Sequence, residues 1–300
     1  MKPLFVLTLA LAITAACSAD VAPTAPATTS FHVKVSGRGQ PMVLIPGLAT
    51  PGDVWDSTVA RFGARYECHV ISLAGFGGTP ARSAAANSAP LLGSVRDELA
   101  EYLRRTRLER PVIVGHSLGG VVAHDLAARH PELVGPLVIV DSLPFLFGVM
   151  QPGATPDAGR QAAAQMAHSF SRMTPETYAQ TIRGGPNGST MATNRSDVER
   201  VIAWGLASDA NTVATAMTEL YSTDLRPSLP QIDSPTLALA AWVGYAPYAS
   251  RSSIEQIYRA QYAGLENTRI EITDTARHFI MLDQPEWMFD RIESFLAARP

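Results

Sequence analysis

The sequence predicts an α/β protein: a mainly parallel sheet covered by helices on both faces, with a helical segment inserted between two strands. Three observations carry this reading. Short, mostly apolar runs recur as MVLIP (42–46), ECHVISL (67–73), VIVG (112–115), LVIVD (137–141) and TLALAAW (236–242). Continuous apolar strands suit a sheet buried on both faces rather than one half-exposed to water. Helical patterns alternate with these runs, as in parallel sheets with crossover connections, and the stretch 143–230 shows helical patterns alone.

The elements follow in order. FHVKV (31–35) alternates like a half-exposed strand and SGRG (36–39) reads as a turn. MVLIP is a buried strand, and a helix is expected from about Val54. ECHVISL is the next strand, followed by the glycine-rich loop AGFGGTP. Residues 94–106 put Val95, Leu99, Tyr102 and Leu103 on one helical face. VIVG leads into SLGGVVAHDLAARHP, a helix stopped by Pro131. LVIVD precedes the inserted segment, with helical patterns at 159–173, 175–182, 196–208 and 212–222. TLALAAW and RIEIT (269–273) are the last strands. PEWMFDRIESFLAA (285–298) is a final helix with Pro at its first turn. The expected organisation is a core of 31–142 and 231–300 carrying a helical cap, 143–230.

Three hundred residues, 46% of them hydrophobic, can bury a large core. The formal charge of −3 and the lack of any Lys/Arg block exclude a nucleic-acid footprint. At the N-terminus, Lys2 precedes LFVLTLALAITAA, too short to span a bilayer as a helix and the right size for the apolar part of a signal peptide. Residues 1–19 are therefore expected to be a signal, cleaved after Ala19. An alternative is a bacterial lipoprotein signal at Cys17, although Thr14 stands where its leucine is usual. Both imply export to the periplasm or beyond, with membrane attachment only if Cys17 is lipidated. DVAPTAPATTS (20–30) reads as a disordered linker. Cys68 lies in a strand and is expected to pack rather than react.

PVIVGHSLGG (111–120) sets a serine between glycines at a strand-to-helix junction. A nucleophile elbow requires that setting: the strained turn lifts the Ser117 hydroxyl above the sheet, and its flanks must be small because the chain folds back on itself. Gly115 and Gly119 meet this need, and Gly120 lets the helix pack close. A histidine near neutral pKa can then serve as base. Of seven histidines, only His278 follows the last strand.

With Gly115-His116-Ser117-Leu118-Gly119, the loop Ile45-Pro46-Gly47-Leu48-Ala49 and His278 in these positions, the chain resembles the α/β-hydrolase superfamily from about residue 31 to 300. Pro46 stands where that loop usually has histidine. The resemblance implies an oxyanion hole of backbone N–H groups from Leu118 and Leu48, and His278 as base. It also implies an aspartate after the strand TLALAAW, but VGYAPYASRSS follows, with no carboxylate before Glu255. Some members carry the acid one strand earlier, which makes Asp141 the first candidate. Asp274 is the second, and Glu255, Asp283 or a dyad without an acid stay open.

A serine rather than an aspartate at the elbow points to acyl transfer to water through an acyl-enzyme. The expected activity is a serine hydrolase, most directly a carboxylesterase acting on a small-molecule ester. Alternatives are a peptidase, amidase or lactonase with the same residues, or a non-catalytic envelope binding protein that kept the fold and lost the acid. No metal-ligand spacing, P-loop or GxGxxG after a strand is present, so neither metal nor cofactor is implied. Phe145, Phe147, Phe170, Met150, Met166 and Met173 are candidates for an apolar acyl pocket, with WVGYAPY (242–248) as one wall. The sequence leaves the oligomeric state open.

Overall fold

The computed structural model describes residues 30–83, 89–151, 153–170, 172–184 and 188–298. The expected signal segment, Cys17 and all but the last residue of the expected linker lie outside the described residues.

Seven strands form one sheet: β1 (Phe31–Gly37), β2 (Gln40–Ile45), β3 (Tyr66–Leu73), β4 (Val112–His116), β5 (Leu137–Val140), β6 (Thr236–Ala241) and β7 (Thr268–Thr273). Their spatial order is β1-β3-β2-β4-β5-β6-β7. Only β1, on β3, is antiparallel. The pairs β2–β3, β2–β4, β4–β5, β5–β6 and β6–β7 are parallel. The helices are α1 (Asp56–Phe62), α2 (Leu91–Thr106), α3 (Leu118–Arg129), α4 (Phe147–Met150), α5 (Pro156–Phe170), α6 (Pro175–Arg183), α7 (Arg195–Leu206), α8 (Ala210–Ser222), α9 (Arg251–Gln261), α10 (Ile280–Asp283) and α11 (Pro285–Ala297).

Strand residues alternate between two cores, because successive side chains point to opposite faces. Val43, Ile45, Ile113 and Ile139 meet α2, α3 and α9, through residues such as Leu99, Val122 and Ile254. Met42, Leu44, Val114 and Leu239 face α1 and α11, through Phe62, Phe289 and Ile292. Both faces are thus dry, as the apolar strands require.

Helix α2 begins at Leu91 rather than Ser94. LLG has no local cap; the carboxylate of Glu219, on α8, instead accepts the N–H groups of Leu91 and Leu92 at 2.7 and 2.8 Å. A negative charge at a helix N-terminus is favoured by the dipole and satisfies orphan donors. The start of α8 is also tied down: Gly77 N–H donates to Ser208 Oγ at 2.8 Å and Asp209 N–H to the Gly75 carbonyl at 2.8 Å. Among the described residues, five helices, α4 to α8, stand between β5 and β6 in sequence.

On α3, His124 is fully buried beside the Tyr262 ring, 5.5 Å between centroids. Burial pushes its pKa down to about 4, the Gly120 carbonyl opposing. Its folded pKa is therefore below its unfolded one. The folded state keeps it neutral while the unfolded chain takes up a proton, so its contribution is present above pH ~6.5 and is lost as pH falls toward 4. Exchanging His124 for leucine is expected to remove about 3 kcal/mol of the acid-induced loss between pH 7 and 4. Urea unfolding of both proteins at the two pH values measures this; equal losses would assign the acid sensitivity to other groups.

Candidate active site

Strand β4 ends at His116 and α3 begins at Leu118, leaving Ser117 alone to turn the chain. Ser117 has φ 52° and ψ −118°, a left-handed backbone costly for any residue with a Cβ. Neighbours hold it there. Its N–H donates to the Val140 carbonyl at 3.0 Å, and its carbonyl accepts from Gly120 N–H at 2.9 Å and Ser142 Oγ at 2.7 Å. The flanks have no spare room. A Cβ on Gly115 would lie 2.4 Å from the Gly119 carbonyl oxygen, and one on Gly119 would lie 2.3 Å from that of Ile45.

The loop after β2 crosses this turn. A Cβ on Gly47 would stand 3.2 Å from Ser117 Cβ, and Leu48 and Ala49 border the cavity above the serine. Thr50 Oγ donates to the Leu48 carbonyl at 2.9 Å, fixing the loop. Leu118 is the first residue of α3, so its N–H has no acceptor within the helix.

His278 lies between β7 and α10. Its Nδ1 is 2.7 Å from Asp141 Oδ2. A carboxylate can only accept, so Nδ1 carries a proton, and in the neutral ring the lone pair is on Nε2. His278 is fixed at its backbone too: its main-chain N–H donates to the Thr190 carbonyl at 3.3 Å, and its carbonyl accepts from His116 Nε2 at 3.1 Å. His116 is buried, and burial first and His278 second hold it well below the usual histidine range, so it stays neutral.

Asp141 directly follows β5, with φ 44° and only 7% of its surface exposed. Its second oxygen accepts from Ala241 N–H and from the Tyr258 hydroxyl, each at 2.9 Å. A buried carboxylate needs such donors to offset lost hydration. The other carboxylates are engaged elsewhere. Asp274 accepts from Trp242 Nε1 and Arg251 Nε, Asp283 from Thr193 and Arg277 N–H, and Glu255 from Arg251 and Arg259.

Ser117, Asp141 and His278 border one cavity of about 420 Å³. Its walls are largely apolar, from Leu146, Val149, Met217, Ile257 and Phe279 among others. Of the side chains expected there from the start of the inserted segment, the four that are described are not the ones found. Phe145 and Phe147 turn away into a cluster with Ala154. Met166 and Met173 do not border the cavity, Met191 and Met217 do, and the side chains of Met150 and Phe170 lie outside the described residues. Helical periodicity gives a face but not what covers it. Of the aromatics in WVGYAPY, only Tyr245 reaches the cavity; Trp242 is held by Asp274 and Tyr248 is 80% exposed. Tyr258 and the Ala241 N–H went unnoticed in the sequence. The spacing of Tyr258 and Tyr262 puts both on one helical face, but nothing local aims them at Asp141. Among the described residues, no group of three or more His, Cys, Asp or Glu side chains converges as a metal site.

A strained serine at the carboxyl edge of a parallel sheet, with a histidine–aspartate pair bordering the same cavity, defines an α/β hydrolase. The chain belongs to the alpha/beta hydrolase family, whose pattern matches residues 42–291. It is similar to the pimeloyl-[acyl-carrier protein] methyl ester esterase of Aeromonas hydrophila, 27% identical over 275 residues that cover 89% of this chain and 100% of the relative. The protein of the same name from Vibrio cholerae is 30% identical over 217 residues, covering 71% of this chain and 79% of the relative. Among solved structures, an esterase from Thermogutta terrifontis superposes with a TM-score of 0.72 at 19% identity, covering 89% and 93% of the two chains. An enol-lactonase from Burkholderia xenovorans gives 0.71 at 16%, covering 89% and 96%. These relatives correct one expectation. Pimeloyl-[acyl-carrier protein] methyl ester esterases are cytoplasmic, which conflicts with the export read from residues 1–19. An apolar run of that length records a segment that water rejects, not a destination.

Gly115→Ala tests the crowding at the turn. It is expected to cost about 2–3 kcal/mol, several degrees in Tm, because the added Cβ meets backbone that cannot yield. A thermal scan measures it; an unchanged Tm would show that the turn relaxes.

Proposed function

We propose that the protein is a serine carboxylesterase working through an acyl-enzyme. The observation that carries this reading is that strained Ser117 borders the same cavity as the His278–Asp141 pair, whose 2.7 Å hydrogen bond leaves His278 Nε2 free to accept a proton. Ser117 Oγ attacks the ester carbonyl while His278 Nε2 takes its proton. The same nitrogen returns that proton to the departing alkoxide, and water then repeats the sequence on the acyl-enzyme. Asp141 holds the imidazole in the required tautomer and stabilises its cation. The N–H groups of Leu118 and Leu48 receive the oxyanion, where fixed donors lower the barrier most.

The relatives are methyl ester esterases by name, which supports an ester as the bond cleaved. The apolar walls support an apolar acyl group of small to medium size. Residues 143–230 act as a cap on the core of 31–142 and 231–300; the support is that Tyr178 and Ile182 of α6 and Met217 and Leu220 of α8 border the cavity. Among the described residues Asp141 is the only carboxylate on its walls and it is already engaged, which speaks against a site for the free amine of a peptide. The reading as a non-catalytic binding protein rested on a missing acid, and Asp141 at 2.7 Å from His278 supports the catalytic reading over it.

Hydrolysis of p-nitrophenyl esters from acetate to octanoate, measured beside Ser117→Ala, tests the reading. Activity is expected to fall by about 10⁶-fold in the variant, and the chain-length optimum sizes the acyl pocket. Turnover that persists without Ser117, or none in the parent, would reject the assignment. Asp141→Asn is expected to lower kcat by about 10⁴-fold with the fold retained, because the imidazole loses its tautomer. Asp274→Asn is expected to leave kcat unaltered; the reverse pattern would move the acid to Asp274.

A further inference from the structure

Tyr258, on α9, and Tyr262, the residue that follows the helix, reach the chain leaving β5 from one side. Tyr258 donates its hydroxyl to Asp141 Oδ1 at 2.9 Å, and Tyr262 donates to the Ser142 carbonyl at 2.9 Å. Their rings stack at 6.3 Å with planes 14° apart, and both are at least 95% buried. Ser142 in turn donates to the Ser117 carbonyl at 2.7 Å. The two phenols therefore grip consecutive residues of one turn, and only Tyr258 touches the carboxylate.

Asp141 needs holding. Its backbone is left-handed at φ 44°, and its carboxylate is taken out of water. The oxygen facing His278 has that one partner, while the other oxygen has Ala241 N–H and Tyr258. The backbone donor cannot rotate and sits at the end of β6; the phenol approaches from a different element. Two donors from separate elements fix the carboxylate plane, and with it the direction from which Nδ1–H of His278 is received. Burial first, and the neighbouring Asp141 charge second, keep the Tyr258 phenol well above its ordinary value, so the hydroxyl retains its proton and donates.

We propose that Tyr258 is a positioning residue: its hydroxyl, 2.9 Å from Asp141 Oδ1, orients the carboxylate that in turn orients His278. This rests on the esterase reading for its kinetic consequence, but not for the hydrogen-bond geometry itself. Two donors on one carboxylate share its charge. Removing the phenol hydroxyl leaves more charge for the His278 proton and releases the carboxylate plane. Tyr262 serves as the comparator, since it is a tyrosine at the end of the same helix, as deeply buried, but bonds a main-chain carbonyl.

The experiment compares the full-length protein with Tyr258→Phe and Tyr262→Phe. The first readout is the far-downfield proton resonance of the His278–Asp141 hydrogen bond. It is expected to move downfield in Tyr258→Phe and to stay in place in Tyr262→Phe, and it needs no turnover. The second is p-nitrophenyl butyrate hydrolysis. For Tyr258→Phe, kcat is expected to fall about tenfold with KM unchanged, the size of one lost charge-assisted hydrogen bond. Site-specific 3-fluorotyrosine at position 258 keeps the hydroxyl and makes it a stronger donor; the resonance is expected to move upfield. It also serves if Tyr258→Phe does not fold. A resonance and kcat unmoved in Tyr258→Phe, or moved equally in Tyr262→Phe, would overturn the proposal. A parent that lacks ester turnover but shows the expected resonance shifts would reject the esterase reading and leave the positioning role standing.

Discussion

The chain leaves β4 and enters α3 with one residue between them, and that residue cannot relax. Ser117 is left-handed because the glycines at 115 and 119 let two segments of backbone approach within distances that any Cβ would forbid. The turn then dictates what may stand near it. The loop after β2 must offer glycine at 47, and the residue after Asp141 must be small enough to sit against Gly120 and still bond the Ser117 carbonyl, which serine does. A local strain of order 1–3 kcal/mol is thereby supported by packing from β2, β4, β5 and α3.

A second constraint is the removal of Asp141 from water. A buried carboxylate persists only where donors replace hydration, and three groups supply it: a side chain after β7, a backbone N–H at the end of β6 and a phenol on α9. The β5–β6 register, Val140 opposite Leu239, brings the end of β6 to the tip of β5. The sheet therefore positions Asp141 through backbone as much as through side chains. His116 adds a fixed, neutral donor to the His278 carbonyl, so the histidine is braced from β4 as well.

All seven strands and the sheet's two-sided burial were legible in the sequence, because apolar runs and helical periods report burial directly. So were the elbow glycines, whose reason is local. Boundaries set at a distance were not. The start of α2 depends on Glu219, which is 128 positions away at Leu91. The pairing of Asp141 with His278 could be named but not chosen over Asp274, since the choice depends on strand order and on where Trp242 and Arg251 send their donors. The cavity walls were misassigned because Phe145 and Met217 look alike to a hydropathy pattern, and only the packing of α4 to α8 separates them. The cellular destination was read from an N-terminal apolar run and was overturned by the relatives.

The insertion between β5 and β6 has a consequence for how such a protein diversifies. The groups around the serine are set by strand register and by glycines, positions with almost no mutational freedom. The cavity walls come in large part from α4 to α8, a connection whose ends are fixed by the pairing of Leu137 with Thr236 and of Val140 with Leu239. Because the entropy of closing a connection grows only slowly with its length, that segment can lengthen, shorten or change composition at small thermodynamic cost. On the proposed reading, substrate range and chemical machinery are thus written in largely separate stretches of the chain, and one can drift while the other is held still.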